Sequence, residues 1–234
     1  MKKNILLLSF LICLVLFLLL ACSANNAHVS SQDQRQASSL PPPQPDGGPF
    51  GVDVNINMLT IDNYLGWPDI EYIDVRMLYD PADFPAIGGI ASLTQTLPGY
   101  RIVPFPFIAN LGAMPVANAY DGNRLFEIVW GEGRGEVLEI TANYLESESI
   151  LNDLFPKDKV IFLMCGGAGY SSLARGLLIH NGWDENMIYH TGGNWHYTGN
   201  MGLDMTISND DPNIATWRAD YAFIDFDHLN RIAP

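Results

Sequence analysis

A nearly continuous apolar run at residues 159–164 constrains the fold of this chain more than any other stretch. Runs of this length and composition are typical of strands that are buried on both faces of a parallel sheet. Cys165 and a glycine-rich loop follow, and Ser171 or Ser172 then opens a segment to residue 181 whose apolar residues share one helical stripe. The pattern therefore predicts a strand, a tight loop and a helix in direct succession.

The remainder of the chain alternates strands and helices in the same way. Runs of β-branched and aromatic residues predict strands at 71–76, 100–103 and 187–190, and a helical pattern occupies 141–155. This order predicts the α/β class, with a central parallel sheet, helices on both faces and a single domain with an enlarged insert. In open parallel sheets ligands bind at the carboxyl ends of strands, and Cys165 has such a position.

Cys165 is the candidate reactive group. The two other cysteines, Cys13 and Cys22, belong to the N-terminal segment, so Cys165 would be the only free thiol of the processed protein. A thiol at the start of such a loop faces backbone N–H groups and the positive end of a helix dipole, and we expect its pKa to fall from about 8.5 toward neutrality. The alternative is a buried cysteine that packs as a small apolar residue.

The N-terminus has the pattern of an exported protein. Lys2 and Lys3 precede an apolar stretch that ends in Leu-Leu-Ala before Cys22. This pattern resembles bacterial lipoproteins, which implies a signal peptide at 1–21, lipidation of Cys22 and an extracytoplasmic domain anchored by lipid in the cell envelope. Ser23 favours the outer membrane where there are two membranes. An uncleaved membrane anchor is the alternative.

Composition changes after the signal. Residues 22–50 are rich in Ser, Gln, Asn and Pro, and they have too little apolar surface to offset chain entropy, which predicts a disordered tether. Residues 51–205 are predicted to form the folded domain, and the aromatic extension 206–234 is predicted to pack back onto it. The net charge of −14 argues against nucleic acid and anionic lipid headgroups as partners.

Four pieces of the sequence form a recognisable series. They are Ile73-Asp74-Val75-Arg76, then Gly88-Gly89-Ile90 with residues 97–104, then the loop 165–171, and finally Gly182-Trp183, Ile188-Tyr189 and Gly192-Gly193 with Trp195. In this order they resemble the rhodanese-like family. Together they extend from about residue 55 to residue 202. No single piece is specific, but their order and spacing together are.

The resemblance implies sulfur transfer without a cofactor or a metal. The Cys165 thiolate would take a sulfane sulfur from a small donor and pass the persulfide sulfur to a thiol or another nucleophile. Asp74 and Arg76 would support the site structurally, although a surface ion pair is an equally simple interpretation. The implied substrate-binding residues are those of the loop: Gly166, Gly167, Ala168, Gly169, Tyr170 and Ser171.

The loop departs from the family pattern at three positions. Ala168 stands where the family has Gly, Tyr170 where Arg or Thr is frequent, and Gly166 where a basic residue is frequent. One lost charge-assisted contact costs about 1.5–3 kcal/mol, so a neutral or thiol-based donor fits better than thiosulfate. Ser171, rather than Arg, stands six positions after Cys165, which argues against the phosphatases that share this fold.

Other functions remain open from the sequence. The insert at about 107–140 is longer than family members usually have, and its aromatic and acidic residues suit a lid or a surface for a protein partner. The main alternative is therefore a non-catalytic rhodanese-like binding module. A thiol redox role would need an external thiol. His190 and His196 flank the Gly-Gly turn, but their spacing with Cys165 fits no metal-ligand pattern.

Overall fold

The computed structural model describes residues 36–76, 95–112, 122–133, 135–204, 222 and 224–233. The chain divides into two units, Met1–Ser39 and Leu40–Pro234. The described part of the first unit has a 3-10 turn at Ala37–Ser39. The predicted signal peptide, Cys22, the Gly88-Gly89-Ile90 piece and residues 206–221, 223 and 234 of the predicted extension lie outside the described residues.

The second unit is α/β. Among its described residues there are eight strands: β1 Ile70–Asp74, β2 Gln95–Thr96, β3 Arg101–Ile102, β4 Phe126–Trp130, β5 Val137–Ala142, β6 Val160–Cys165, β7 Ile188–Gly193 and β8 Leu203–Asp204. The α-helices are α1 Phe105–Ile108, α2 Ser147–Leu154 and α3 Gly169–His180. Short 3-10 turns occur at Ile61–Asn63, Glu185–Met187, Asn194–His196 and Phe226–His228.

A parallel sheet of four strands forms the centre, in the order β3-β1-β6-β7. Every residue of β6 is buried, as the continuous apolar run predicts for a strand between two parallel neighbours. The predicted α/β class with a central parallel sheet is confirmed. Two antiparallel pairs, β2 with β8 and β4 with β5, lie outside this sheet.

The two faces of the sheet are covered differently. On one face, Ile161, Leu163 and Cys165 of β6 belong to the main hydrophobic core together with residues of α2 and α3. On the other face, Phe162 contacts an aromatic group at ring-centroid distances of 5.2–6.3 Å, formed by Tyr64, Tyr72 and Tyr189. Tyr64 directly follows the 3-10 turn Ile61–Asn63, so the segment before β1 packs against this face of the sheet.

Two predicted boundaries differ from the structure. The sequence predicts a helix at 141–155, whereas β5 takes the first part of this range and α2 begins only at Ser147. The β-branched residues of β5 pair with β4 in an antiparallel hairpin, so strand pairing outweighs the helical spacing. The helix predicted from Ser171 or Ser172 begins earlier, at Gly169.

The N-terminal segment 40–53 is part of the folded unit. The Asp53 carboxylate is buried and accepts N–H groups from Gln44 and Ile56, at 2.5 and 2.7 Å. Tyr189 of β7 donates its hydroxyl to the carbonyl of Pro41 at 2.7 Å. The predicted tether 22–50 thus includes residues that hydrogen-bond to the domain, because the folded unit begins at Leu40 rather than at residue 51.

The end of the chain also contacts this unit. The N–H of Ala222 donates to the carbonyl of Ile102, and Ile224 is buried in the main core. The ring of Phe226 lies 5.5 Å from that of Tyr144. None of the helices in the described ranges is long and apolar enough to span a bilayer.

Candidate functional site

Three strand ends meet at the carboxyl edge of the sheet. Cys165 is the last residue of β6, and it is in register with Gly193, the last residue of β7. Asp74 ends β1 on the other side and is in register with Met164. The parallel pairing therefore brings the thiol, a carboxylate and the Gly-Gly turn to the edge where sheets of this kind bind ligands.

The loop after Cys165 folds the first turn of α3 back toward the thiol. Ala168 has φ 72° and ψ −9°, the left-handed conformation, and α3 begins directly after it. The backbone N–H groups of Tyr170 and Ser171 consequently donate to the Cys165 sulfur. These are N–H groups of the first helical turn, which have no acceptor within the helix itself.

The loop is closely covered by the turn after β7. A Cβ on Gly193 would lie 2.8 Å from the nitrogen of Ala168, so only glycine fits there. The indole of Trp195 lies against Gly166 and Gly167, where an added Cβ would be 3.0 and 2.8 Å from the ring. Trp195 itself is 63% exposed and forms the outer wall of the loop.

Hydrogen-bonding groups lead from the thiol into the protein interior. Ser171 Oγ lies 3.4 Å from Cys165 Sγ and 2.7 Å from His190 Nε2. On the other side of the imidazole, His190 Nδ1 lies 3.2 Å from the carbonyl oxygen of Gly51. Because a carbonyl can only accept, Nδ1 carries the imidazole proton and Nε2 accepts from Ser171. The Ser171 hydroxyl thus lies between the thiol and the imidazole, within hydrogen-bond distance of both.

Burial raises the pKa of the Cys165 thiol, so the expected lowering is wrong. The side chain is 3% exposed, and the loss of solvation outweighs the hydrogen bonds that Ser171 and Tyr170 donate. The nearby Asp74 carboxylate raises this pKa further. Burial also lowers the pKa of His190 to about 4. The thiol and the imidazole are therefore both neutral at pH 7.

Asp74 and Arg76 form a buried ion pair beside the thiol, with side chains 0% and 4% exposed. The guanidinium Nε donates to both carboxylate oxygens, at 3.0 and 2.7 Å. Arg76 also donates to the carbonyl of Gln95, which Asn194 Nδ2 reaches as well. The pair thereby connects the end of β1 to β2 and to the turn after β7, and the surface interpretation does not apply.

The structure brings together Cys165, the loop 166–171 and the Asp74–Arg76 pair. Sequence reasoning missed the role of His190, which it considered only for a metal site; the available signal was a histidine inside a strand parallel to β6. His190 is buried whereas His196 is exposed, so the two do not share a site. The described residues contain no group of three His, Cys, Asp or Glu placed to hold a metal ion.

Another polar group at this edge is Asn194. Its residue is 6% exposed, and its Oδ1 has no hydrogen-bond partner, an uncommon state for a buried polar atom. Asn194 lies between Gly193 and Trp195 of the Gly-Gly turn, but the sequence analysis gave it no role.

Comparisons of the chain with protein-family models, with curated proteins and with solved structures find no match.

Proposed function

We propose that this chain is a rhodanese-like sulfurtransferase in which Cys165 carries a sulfane sulfur as a persulfide. The observation that carries the proposal is the position of the sulfur, which accepts N–H groups from Tyr170 and Ser171 at the start of a 12-residue helix. Such donors stabilise an anionic sulfur in both its thiolate and its persulfide form. The order of motifs along a parallel sheet supports the same assignment.

The proposed donor is a persulfide of a small thiol. The Cys165 sulfur attacks the outer sulfur of the donor, the bond between the donor's two sulfur atoms breaks, and the donor leaves as a thiolate. The Cys165 proton passes to Ser171 as Ser171 gives its own proton to His190, and His190 then returns a proton through Ser171 to the leaving thiolate. An acceptor thiol then attacks the outer sulfur and Cys165 leaves. No net oxidation or reduction occurs.

Thiosulfate is a less suitable donor for two reasons. Residues 166–170 include no Lys, Arg or His, so the loop has no side-chain cation for a dianion. Because the pKa of the Cys165 thiol is raised, its proton must be removed during the attack. A donor whose leaving group is a strong enough base to take up this proton is therefore favoured.

Intact mass spectrometry tests the proposal. The reduced protein is incubated separately with glutathione persulfide, thiosulfate and mercaptopyruvate, and Cys165→Ala is treated in parallel. We expect glutathione persulfide to add one sulfur atom, reversibly with cyanide and not in the variant. A second variant, Ser171→Ala, should form the same adduct at least tenfold more slowly. If no donor adds sulfur while the denatured protein still alkylates at Cys165, the catalytic proposal is rejected.

A specific observation also favours a second candidate, a non-catalytic binding module. Cys165 is 3% exposed beneath a loop that Trp195 covers, which limits access to the sulfur. The β4–β5 hairpin of the insert exposes Val129 and Leu138, 52% and 59% accessible, as apolar contacts for a protein partner. Under this candidate, Cys165→Ser keeps full function in the cell, whereas Val129→Asp with Leu138→Asp abolishes it.

We further propose that Cys22 carries a lipid that anchors the folded unit in the bacterial cell envelope. The support is the apolar segment that ends in Leu-Leu-Ala before this cysteine. Expressed from its full sequence, the protein should partition into the detergent phase of a Triton X-114 extract, and Cys22→Ala should stay in the aqueous phase. Equal partition of both forms would reject the anchor.

A further inference from the structure

A cleft of about 680 Å³ lies beside the outer side of α3, away from the thiol. Its walls are formed by the N-terminal segment at 48–51, by residues 133 and 135–137 of the β4–β5 hairpin, and by one side of the helix between 172 and 180. This volume is within the range of small-molecule sites, roughly 300–1,000 Å³. Cys165 is not among the described residues that line it, so the cleft is separate from the proposed sulfur-transfer site.

Arg175 is the distinctive residue of this cleft. It is partly buried, and in the part of the chain that the structure describes its guanidinium has no hydrogen bond and no ion pair within 4 Å. The paired arginines differ, since Arg76 binds Asp74 and Arg101 lies near Glu71. Burial lowers the pKa of Arg175, and the charges of two nearby carboxylates, which raise this pKa, offset the effect only in part. A ligand oxyanion would supply the missing partner.

The other lining residues limit which anion fits. Glu136 and Glu185 are exposed at the rim, and the Glu136 carboxylate accepts the N–H of Gly133 at 3.1 Å. Their charges are screened by water, but they still oppose the entry of a ligand with several negative charges. Apolar side chains, including Phe50 and Ile179, line the remaining wall. The cleft therefore suits one negative charge attached to an apolar body.

We propose that this cleft binds a small monocarboxylate, with the carboxylate on Arg175 and the apolar body against Phe50 and Ile179. A planar carboxylate matches the two parallel N–H groups of a guanidinium. The rest of the ligand is uncharged or cationic, as in amino acids and the carboxyl ends of short peptides. None of the proposed contacts involves the Cys165 sulfur, so ligand binding here can be measured separately from sulfur transfer.

Isothermal titration calorimetry of the purified protein tests the site with three probes. N-acetyl-L-phenylalanine has the carboxylate and an aromatic body, N-acetyl-L-phenylalaninamide lacks only the charge, and AMP has the same general size with a second negative charge. We expect saturable binding of the acid and at least tenfold weaker binding of both other probes. Equal binding of acid and amide, or no saturable binding of the acid at millimolar concentration, would overturn the proposal. Preferential binding of AMP would also overturn it, since a phosphate site is a different assignment.

Matched variants then assign the contact. Arg175→Gln should weaken binding of the acid at least tenfold, and Arg175→Lys should restore only part of it because the fork of donors is lost. Arg231→Gln removes an exposed arginine outside the cleft and should bind as the wild type does. Cys165→Ala should also bind normally, which separates this result from failure of the sulfurtransferase. Undiminished binding by Arg175→Gln would overturn the assignment. The acid and amide comparison needs no variant and stays decisive if a variant folds poorly.

Discussion

Ala168 has the most constrained backbone of the candidate site. Its φ of 72° is the one positive value among the non-glycine residues that the structure describes. A side chain in this left-handed region costs about 1–2 kcal/mol, because Cβ approaches the carbonyl oxygen that follows. Glycine has no Cβ and adopts this conformation freely, so alanine at this position keeps the turn but adds strain. The turn remains because α3 and Gly193 hold the loop from both sides.

Ala168→Gly should therefore stabilise the protein. Relief of the left-handed strain outweighs the added flexibility of the unfolded chain, and we expect a gain of about 0.5–1 kcal/mol in the free energy of unfolding. Urea unfolding followed by circular dichroism gives this quantity. Ala174→Gly is the matched control, since Ala174 is helical and buried in α3, and it should lose about 1 kcal/mol or more. An Ala168→Gly variant less stable than the wild type would contradict the strain argument.

The state of Cys165 could not be predicted from local sequence. Its position at a strand end and the N–H donors of the next helix were accessible from the pattern of residues 159–181. The direction of its pKa shift depends on burial, which Trp195 and the turn after β7 supply from about thirty positions away. The contact of Ser171 with His190 is hidden in the same way, since the two residues are 19 positions apart in the sequence. Local sequence patterns can predict which backbone N–H groups lie near the thiol. They cannot predict which distant residues exclude water from it.

Helix α3 and the turn of the β4–β5 hairpin approach each other through two glycines. A Cβ on Gly176 would overlap the backbone of Gly135, and a Cβ on Gly135 would overlap the carbonyl of Ser172. Gly135 also has φ 74°, which favours glycine independently. Gly176 lies within the helix, where glycine normally costs about 1 kcal/mol relative to alanine. Its presence there is explained by the close contact with the hairpin.

Gly176→Ala should reverse the usual effect of this substitution. Helix propensity alone predicts a gain of about 1 kcal/mol, but the new methyl group must displace the hairpin turn, and overpacking of this kind costs about 1–3 kcal/mol. We expect a net loss of stability in urea unfolding. Gly47→Ala is the control, since no atom lies within 4 Å of its added Cβ, and it should change little. A stabilised Gly176→Ala would show that the hairpin does not rest on the helix in solution.

The hairpin also marks the limit of prediction at the level of elements. The run that becomes β6, the loop after it and α3 were predictable, because a buried strand and an amphipathic helix each have a strong local period. The last two residues of β5, at 141 and 142, were included in the helix predicted at 141–155, since the pattern there is compatible with both structures. Pairing with β4 decides between them, and this pairing depends on a partner more than ten residues away.

At the scale of the whole molecule, His190 joins the N-terminal segment to the site. Its Nδ1 lies 3.2 Å from the carbonyl oxygen of Gly51, and its own carbonyl accepts the N–H of Asp53 at 2.9 Å. The same ring accepts from Ser171 on its other side. The segment 40–53 thus closes over β7 through a residue that must stay neutral, since protonated Nε2 could no longer accept the Ser171 proton.

Acidification should therefore destabilise the molecule. Burial lowers the pKa of His190 from an ordinary 6.5 to about 4, and the Arg175 charge acts in the same direction. Between these two values the unfolded chain binds a proton that the folded protein does not, so stability falls as the pH falls through this window. The loss attributable to His190 is about 2 kcal/mol at pH 5.

Urea unfolding at pH 7, 6 and 5 should show this loss in the wild type and a smaller one in His190→Gln. His196→Gln, which alters an exposed histidine, should follow the wild type. Parallel pH profiles for wild type and His190→Gln would mean that His190 does not hold the segment in its neutral form.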